Sequence, residues 1–175
     1  MRPRRRTGRS GAVRVGRWMA RREEPFAVFV FGMRCNRARG LPRFLWGLGV
    51  LRRVLADLDA HPGRGYLGGH VYRSGRTLVA VQYWASFDAL DAWARDHALP
   101  HRGPWQRYLR EALRDPAMGL WHETYLAEPG SWEAVYVNMP SWGLGAAADA
   151  VQMQATKGSA RERLRERRKR ADRPP

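Results

Sequence analysis

A single cysteine, Cys35, among 175 residues excludes a disulfide within the chain and any thiolate metal site built from this chain alone. No apolar run approaches the ~18 residues that a membrane-spanning helix needs; the longest are residues 26–33 and 44–51. The arginine-rich start is not followed by an apolar segment, so it does not read as a secretory signal, nor Arg4-Arg5-Arg6 as a twin-arginine signal. Its acid-free composition also suits an organellar transit peptide; a cytoplasmic location is the expectation. There is no GxGxxG, no phosphate-cradling loop and no GxSxG nucleophile elbow. His122-Glu123 opens like HExxH, but Leu126 stands where the second histidine belongs. His97 and His101 are four apart, with Pro100 between them to break a shared helical turn. A metal site is not expected.

Acidic residues are scarce at both ends. The net charge is +16, yet residues 1–22 hold nine arginines and no acid, and residues 157–175 hold nine Lys/Arg against Glu162, Glu166 and Asp172. Fifteen of the sixteen charges therefore lie in two terminal segments, and the remaining 134 residues are close to neutral. Blocks of like charge are usually disordered and solvated, so both ends are expected to be disordered tails around a body spanning residues 23–156. Weak, non-specific contact with nucleic acid is the partner such tails suit. Membrane attachment is not expected, because Leu164 is the sole large apolar residue of the C-terminal segment.

Within the body, Phe26–Met33 is an unbroken apolar run that reads as a strand buried on both faces. A helix over Pro42–Ala60 follows, with Leu41, Leu45, Leu48, Leu51, Leu55 and Leu58 on one stripe. Gly47 and Gly49 within it predict close backbone approach or a break. Tyr66–Tyr72 and Thr77–Trp84 flank a short Gly75-containing turn and read as a hairpin. Ser86 caps a second helix, and Pro104 opens a third that stops at Asp115-Pro116. Strands Met118–Leu126 and Trp132–Asn138 complete the order; Gly143–Ala148 shows no convincing period. The resulting β-α-β-β-α(α)-β-β pattern predicts an α+β fold, a ferredoxin-like split βαβ antiparallel sheet with helices on one face. The second sheet face is also apolar and must meet something. A dimer pairing two sheets face to face, with Trp132–Asn138 reaching across to the partner, satisfies that requirement.

His122 shares a predicted strand face with Met118, Leu120, Thr124 and Leu126. An imidazole on an apolar face suits proton transfer or iron ligation; a core histidine bonded to a carbonyl produces the same pattern, and more so for His70. Gln82, between Ala80 and Trp84, and Asn138 are the other polar residues in apolar settings. Eight tryptophans and six tyrosines pack a core, and residues such as Trp84, Trp93, Trp105 and Trp121 equally offer stacking surfaces to a flat ligand.

The strings PFAVFVFGMRCNR, LVAVQYWASFDAL and GLWHETYLAEPGSWEAVYVNMPSWGLG resemble a bacterial and fungal family related to a monooxygenase of the fumagillin biosynthetic cluster. That family is similar in fold to the antibiotic-biosynthesis monooxygenases, which are dimeric α+β barrels. The resemblance covers residues 24–145 and neither tail. It implies a homodimer and an O₂-dependent oxygenation, without metal or flavin, of an electron-rich aromatic or polyketide-like molecule. His122 would be the acid/base, Gln82, Asn36 and Tyr136 would orient oxygen atoms, and Trp84 would contact substrate. Two alternatives stand beside it. One is a haem protein using His97, His101 or His122; the other is a non-enzymatic dimeric ligand-binding protein whose basic tails touch nucleic acid.

Overall fold

The computed structural model describes residues 11–96, 98–99, 102–153 and 159–171. The chain runs through β1 (Arg14–Arg21), β2 (Phe26–Cys35), α1 (Leu41–Ala60), β3 (Tyr66–Ser74), β4 (Thr77–Trp84), α2 (Phe87–Arg95), α3 (Arg102–Arg114), β5 (Met118–Ala127), β6 (Val135–Met139), α4 (Leu144–Ala147), β7 (Asp149–Gln152) and α5 (Ala160–Ala171). A four-stranded sheet has the order β3-β4-β2-β5 with every neighbour antiparallel. That is the ferredoxin-like arrangement expected from the pattern of elements.

Period two decides which side chains meet the helices. In β4, Leu78, Ala80, Gln82 and Trp84 are buried while the residues between them are less so. On the same face β2 contributes Ala27, Phe29, Phe31, Met33 and Cys35, and β5 contributes Met118 and Leu120. Helix α1 covers this face with Phe44, Leu51, Leu55 and Leu58. Leu41 and Leu45, placed on the stripe by spacing, are instead exposed. The buried stripe begins instead at Phe44 and Gly47, and Gly47 lies against Met33 and the Tyr108 ring, where a Cβ would approach Tyr108 to 2.7 Å. Gly47 thus serves close approach, and α1 runs unbroken through Gly49. Ser86 caps α2 by accepting a hydrogen bond from the Ala89 N–H.

The second face of the sheet is met within the same chain. Strands β6-β1-β7 form a three-stranded antiparallel sheet. It packs Ala20 and Tyr136 against Phe26, Val28, Leu67 and Tyr83, with Leu144 between. Trp18 of β1 is 1% exposed and stacks on Tyr136 at 4.2 Å. Two expectations are corrected here. Residues 14–21 are a strand with a buried tryptophan, not part of a disordered tail, and β6 pairs with β1 of its own chain. The C-terminal segment is corrected likewise, since residues 160–171 are helical; residues 1–10, 157–158 and 172–175 lie outside the described residues. No helix among the described residues is long and apolar enough to cross a membrane.

Candidate functional site

Between the four-stranded sheet and the helices lies a cavity of about 240 Å³. Its floor is Phe29, Phe31 and Met33 of β2 with Gln82 of β4; its walls are Trp46, Val50 and Val54 of α1, Trp93 of α2, and Trp105 and Tyr108 of α3; His122 of β5 closes one side. The aromatic walls are held by each other. Phe31 meets Trp105 edge-on at 4.9 Å, Trp46 stacks on Tyr108 at 5.8 Å, and Phe29 lies 5.8 Å from the His122 ring.

Two polar side chains interrupt this apolar lining. Gln82 is 2% exposed, and its Oε1 accepts a hydrogen bond of 3.1 Å from the Trp84 indole N–H. With the carbonyl end engaged, the amide offers its NH₂, a group that can only donate. His122 sits across β2 from Gln82, at the exposed edge of the sheet. Register pairs Gln82 with Phe29 and His122 with Phe31, so the two Cα atoms are roughly 12 Å apart by strand spacing and rise. A ligand lying across Phe29 and Phe31 reaches both. Tyr108 is a donor as well, because burial pushes its hydroxyl up to about 12; it makes a 3.8 Å contact with the Met33 sulfur. His122 is therefore the lining group suited to accept a proton.

The other candidates are placed elsewhere. Trp84 is fully buried, packed against Tyr66 and Trp93; it does not line the cavity and acts on it through Gln82. Asn36 donates to the Pro116 carbonyl at 3.0 Å at the end of β2, outside the cavity. Tyr136 belongs to the second sheet, where its hydroxyl accepts from the Gly145 N–H at 2.9 Å. Asn138 accepts from the Gly16 N–H through its side chain and has a positive φ of 51°, within β6 where its register with β1 is irregular. Of the five proposed site residues, the fold brings His122 and Gln82 to one cavity. His97 and His101 lie outside the described residues. Residues that spacing reasoning missed are Trp46, Val50 and Val54, whose four-residue repeat beside the leucine stripe was the available signal.

Among the described residues no cluster of three or more His, Cys, Asp or Glu could hold a metal.

Residues 26–144 match the family described as monooxygenase af470-like. The chain belongs to that family. The match runs from the start of β2 to the start of α4, so it holds the whole four-stranded sheet, all three covering helices and both polar cavity residues, while β1, β7 and α5 of this monooxygenase af470-like protein fall outside it. No curated protein matches by sequence. Among solved structures, aldoxime dehydratase OxdRE in complex with butyraldoxime superposes with a TM-score of 0.63 at 23% identity, covering 82% of this chain and 45% of that one. A second aldoxime dehydratase gives 0.62 at 18%, covering 82% and 43%. The chain thus shares their α+β fold and spans less than half their length. SnoaB, a cofactor-independent oxygenase from Streptomyces nogalater, overlaps at a TM-score of 0.40 and 21% identity, over 59% of this chain and 93% of its own.

Proposed function

We propose that this monooxygenase af470-like protein binds a small, flat, electron-rich aromatic molecule, phenolic or polyketide-like, in the cavity beneath its helices and oxygenates it with O₂. The observation that carries the reading is the pairing of one donor-only amide, Gln82, with one proton acceptor, His122, in an otherwise apolar cavity. His122 removes the phenolic proton and, being at the exposed edge, returns it to solvent. The Gln82 NH₂ donates to the substrate oxygen and is worth most once that oxygen is an anion. The electrons come from the substrate: one atom of O₂ replaces the ring C–H and O–H hydrogens as a carbonyl, and the other leaves with them as water. Apolar walls keep bulk water from the reactive species. On this reading no cofactor is required.

A homodimer completes the proposal. Strand β5 is an edge of the main sheet, and Tyr125 and Leu126 on it are 54% and 64% exposed, an edge that proteins commonly cover.

The test is oxygen uptake with phenols of one to three rings, run beside ligand binding. Gln82→Leu is expected to lower kcat/KM about 100-fold, and Trp84→Phe, which frees the amide to turn, to lower it less. Binding without oxygen uptake would leave a ligand-binding protein, and absence of both would sink the proposal. A Soret band in purified protein would overturn the cofactor-free reading, and a light-scattering mass of 20.1 kDa rather than twice that would overturn the dimer.

A further inference from the structure

The C-terminal helix α5 is built to stay in place. Ser159 and Glu162 form a reciprocal capping pair: the Ser159 N–H donates to Glu162 at 2.6 Å and the Glu162 N–H donates to the Ser159 hydroxyl at 3.3 Å. Its inner face is held by two arginines one turn apart. Arg163 pairs with Glu133 at 2.5 Å, both side chains mostly buried. Arg167 lies 4.7 Å over the Trp132 ring and donates to the Ala20 carbonyl at 2.9 Å. The turn between β5 and β6 approaches so closely that a Cβ on Gly130 would meet the Arg168 backbone at 2.7 Å.

Charges on the outer face are sorted. At 100° per residue, Arg168, Arg161, Arg165 and Lys169 follow one another within a sector of about 100° that holds no acid, Arg168 standing at its inner border, where its backbone meets the Gly130 turn. Glu162 lies about 20° beyond Lys169 around the helix and is engaged in the cap with Ser159, and Glu166 lies about 60° beyond it. The four cations are exposed and have no ion pair among the described residues. They span about 12 Å along the helix.

We propose that this flank of α5 is a binding surface for the phosphate backbone of a nucleic-acid duplex. A duplex presents one charge per ~1.7 Å of axis, so four cations over that length all find phosphates. The strip has no aromatic or aliphatic residue, and Leu164 lies on the inner side. A protein partner would find no apolar centre to bury, and a lipid surface no side chain to insert. Phosphate contact needs neither, and it is independent of sequence.

The test is fluorescence anisotropy of a short random-sequence DNA duplex with the full chain across a salt series. Binding should weaken steeply with salt. The variant Arg161→Gln/Arg165→Gln/Arg168→Gln/Lys169→Gln keeps good helix formers and should lower the slope of log K against log salt by roughly three to four, about 0.9 per lost contact. The corresponding variant with lysine at the three arginine positions should keep binding, which separates charge from misfolding. An unchanged slope in the glutamine variant would assign any binding to the N-terminal arginines and overturn the proposal. So would the absence of duplex binding, or capture by anionic phosphatidylserine vesicles with none by the duplex.

Discussion

Hydrogen bonds decide what single residues do in this molecule. Trp84 and Gln82 are two positions apart on β4 and share a face, and their contact turns an ambiguous amide into a directed donor. His70 is the opposite case. It is 5% exposed, stacked on Trp142 at 4.2 Å, and neither ring nitrogen has a hydrogen-bond partner among the described residues. Burial lowers its pKa below the ordinary 6.5. As pH falls, the unfolded chain therefore takes up the proton first, and stability present above about 6.5 declines until the native imidazole titrates in turn. His70→Phe retains the stack on Trp142, so its chemical denaturation midpoint is expected to be flatter than the wild type's between pH 7 and the lower limit of folding. An unaltered pH profile would show that His70 does not govern it.

Elements carry the next level. Helix α1, the hairpin and β5 follow from apolar periodicity because their stability comes from burying that periodicity. Helix α5 does not, since its inner face is mostly arginine, and in sequence an arginine anchored to a carboxylate and an indole is indistinguishable from one in water. Its docking depends on Gly130, whose positive φ of 79° and contact with the Arg168 backbone both disfavour a side chain. Gly130→Ala is expected to release α5 while leaving the main sheet folded. Faster amide exchange confined to residues 160–171 would be the signature. Asp115 pins another junction: its carboxylate pairs with Arg39 and Arg43, accepts the Ala117 N–H, and is held well below the usual carboxylate range, first by the Arg39 hydrogen bond.

For the whole molecule, the second sheet is the feature with the largest consequence. Trp18 and Ala20 of β1 bring an N-terminal segment onto the face that would otherwise need a partner, so Arg14, Arg17 and Arg21 belong to a structural strand. Trp18→Ala should cost about 3–5 kcal/mol, a fall in Tm of roughly 10 °C, and truncation to residue 23 should cost at least as much. A truncated chain that melts like the intact one would show β1 to be dispensable. The second sheet also means that dimer formation, if light scattering detects it, must draw on the β5 edge more than on the covered face.

The amino-acid sequence by itself determined the α+β class, the order of the main elements, and that His122 and Gln82 each stand among apolar residues of their own strands, because alternation and helical repeat are local properties that burial reads directly. Tertiary structure alone decided that β1 pairs with β6 and β7, across more than a hundred residues, and that Tyr136 and Asn36 stand away from the cavity. It also decided that Trp84 acts through Gln82 and that the terminal arginines divide into anchors and an open strip. Strand partners and the direction of a polar side chain are set by which surfaces meet. A charge pattern or a lone tryptophan carries no record of its neighbour until the chain has closed around it.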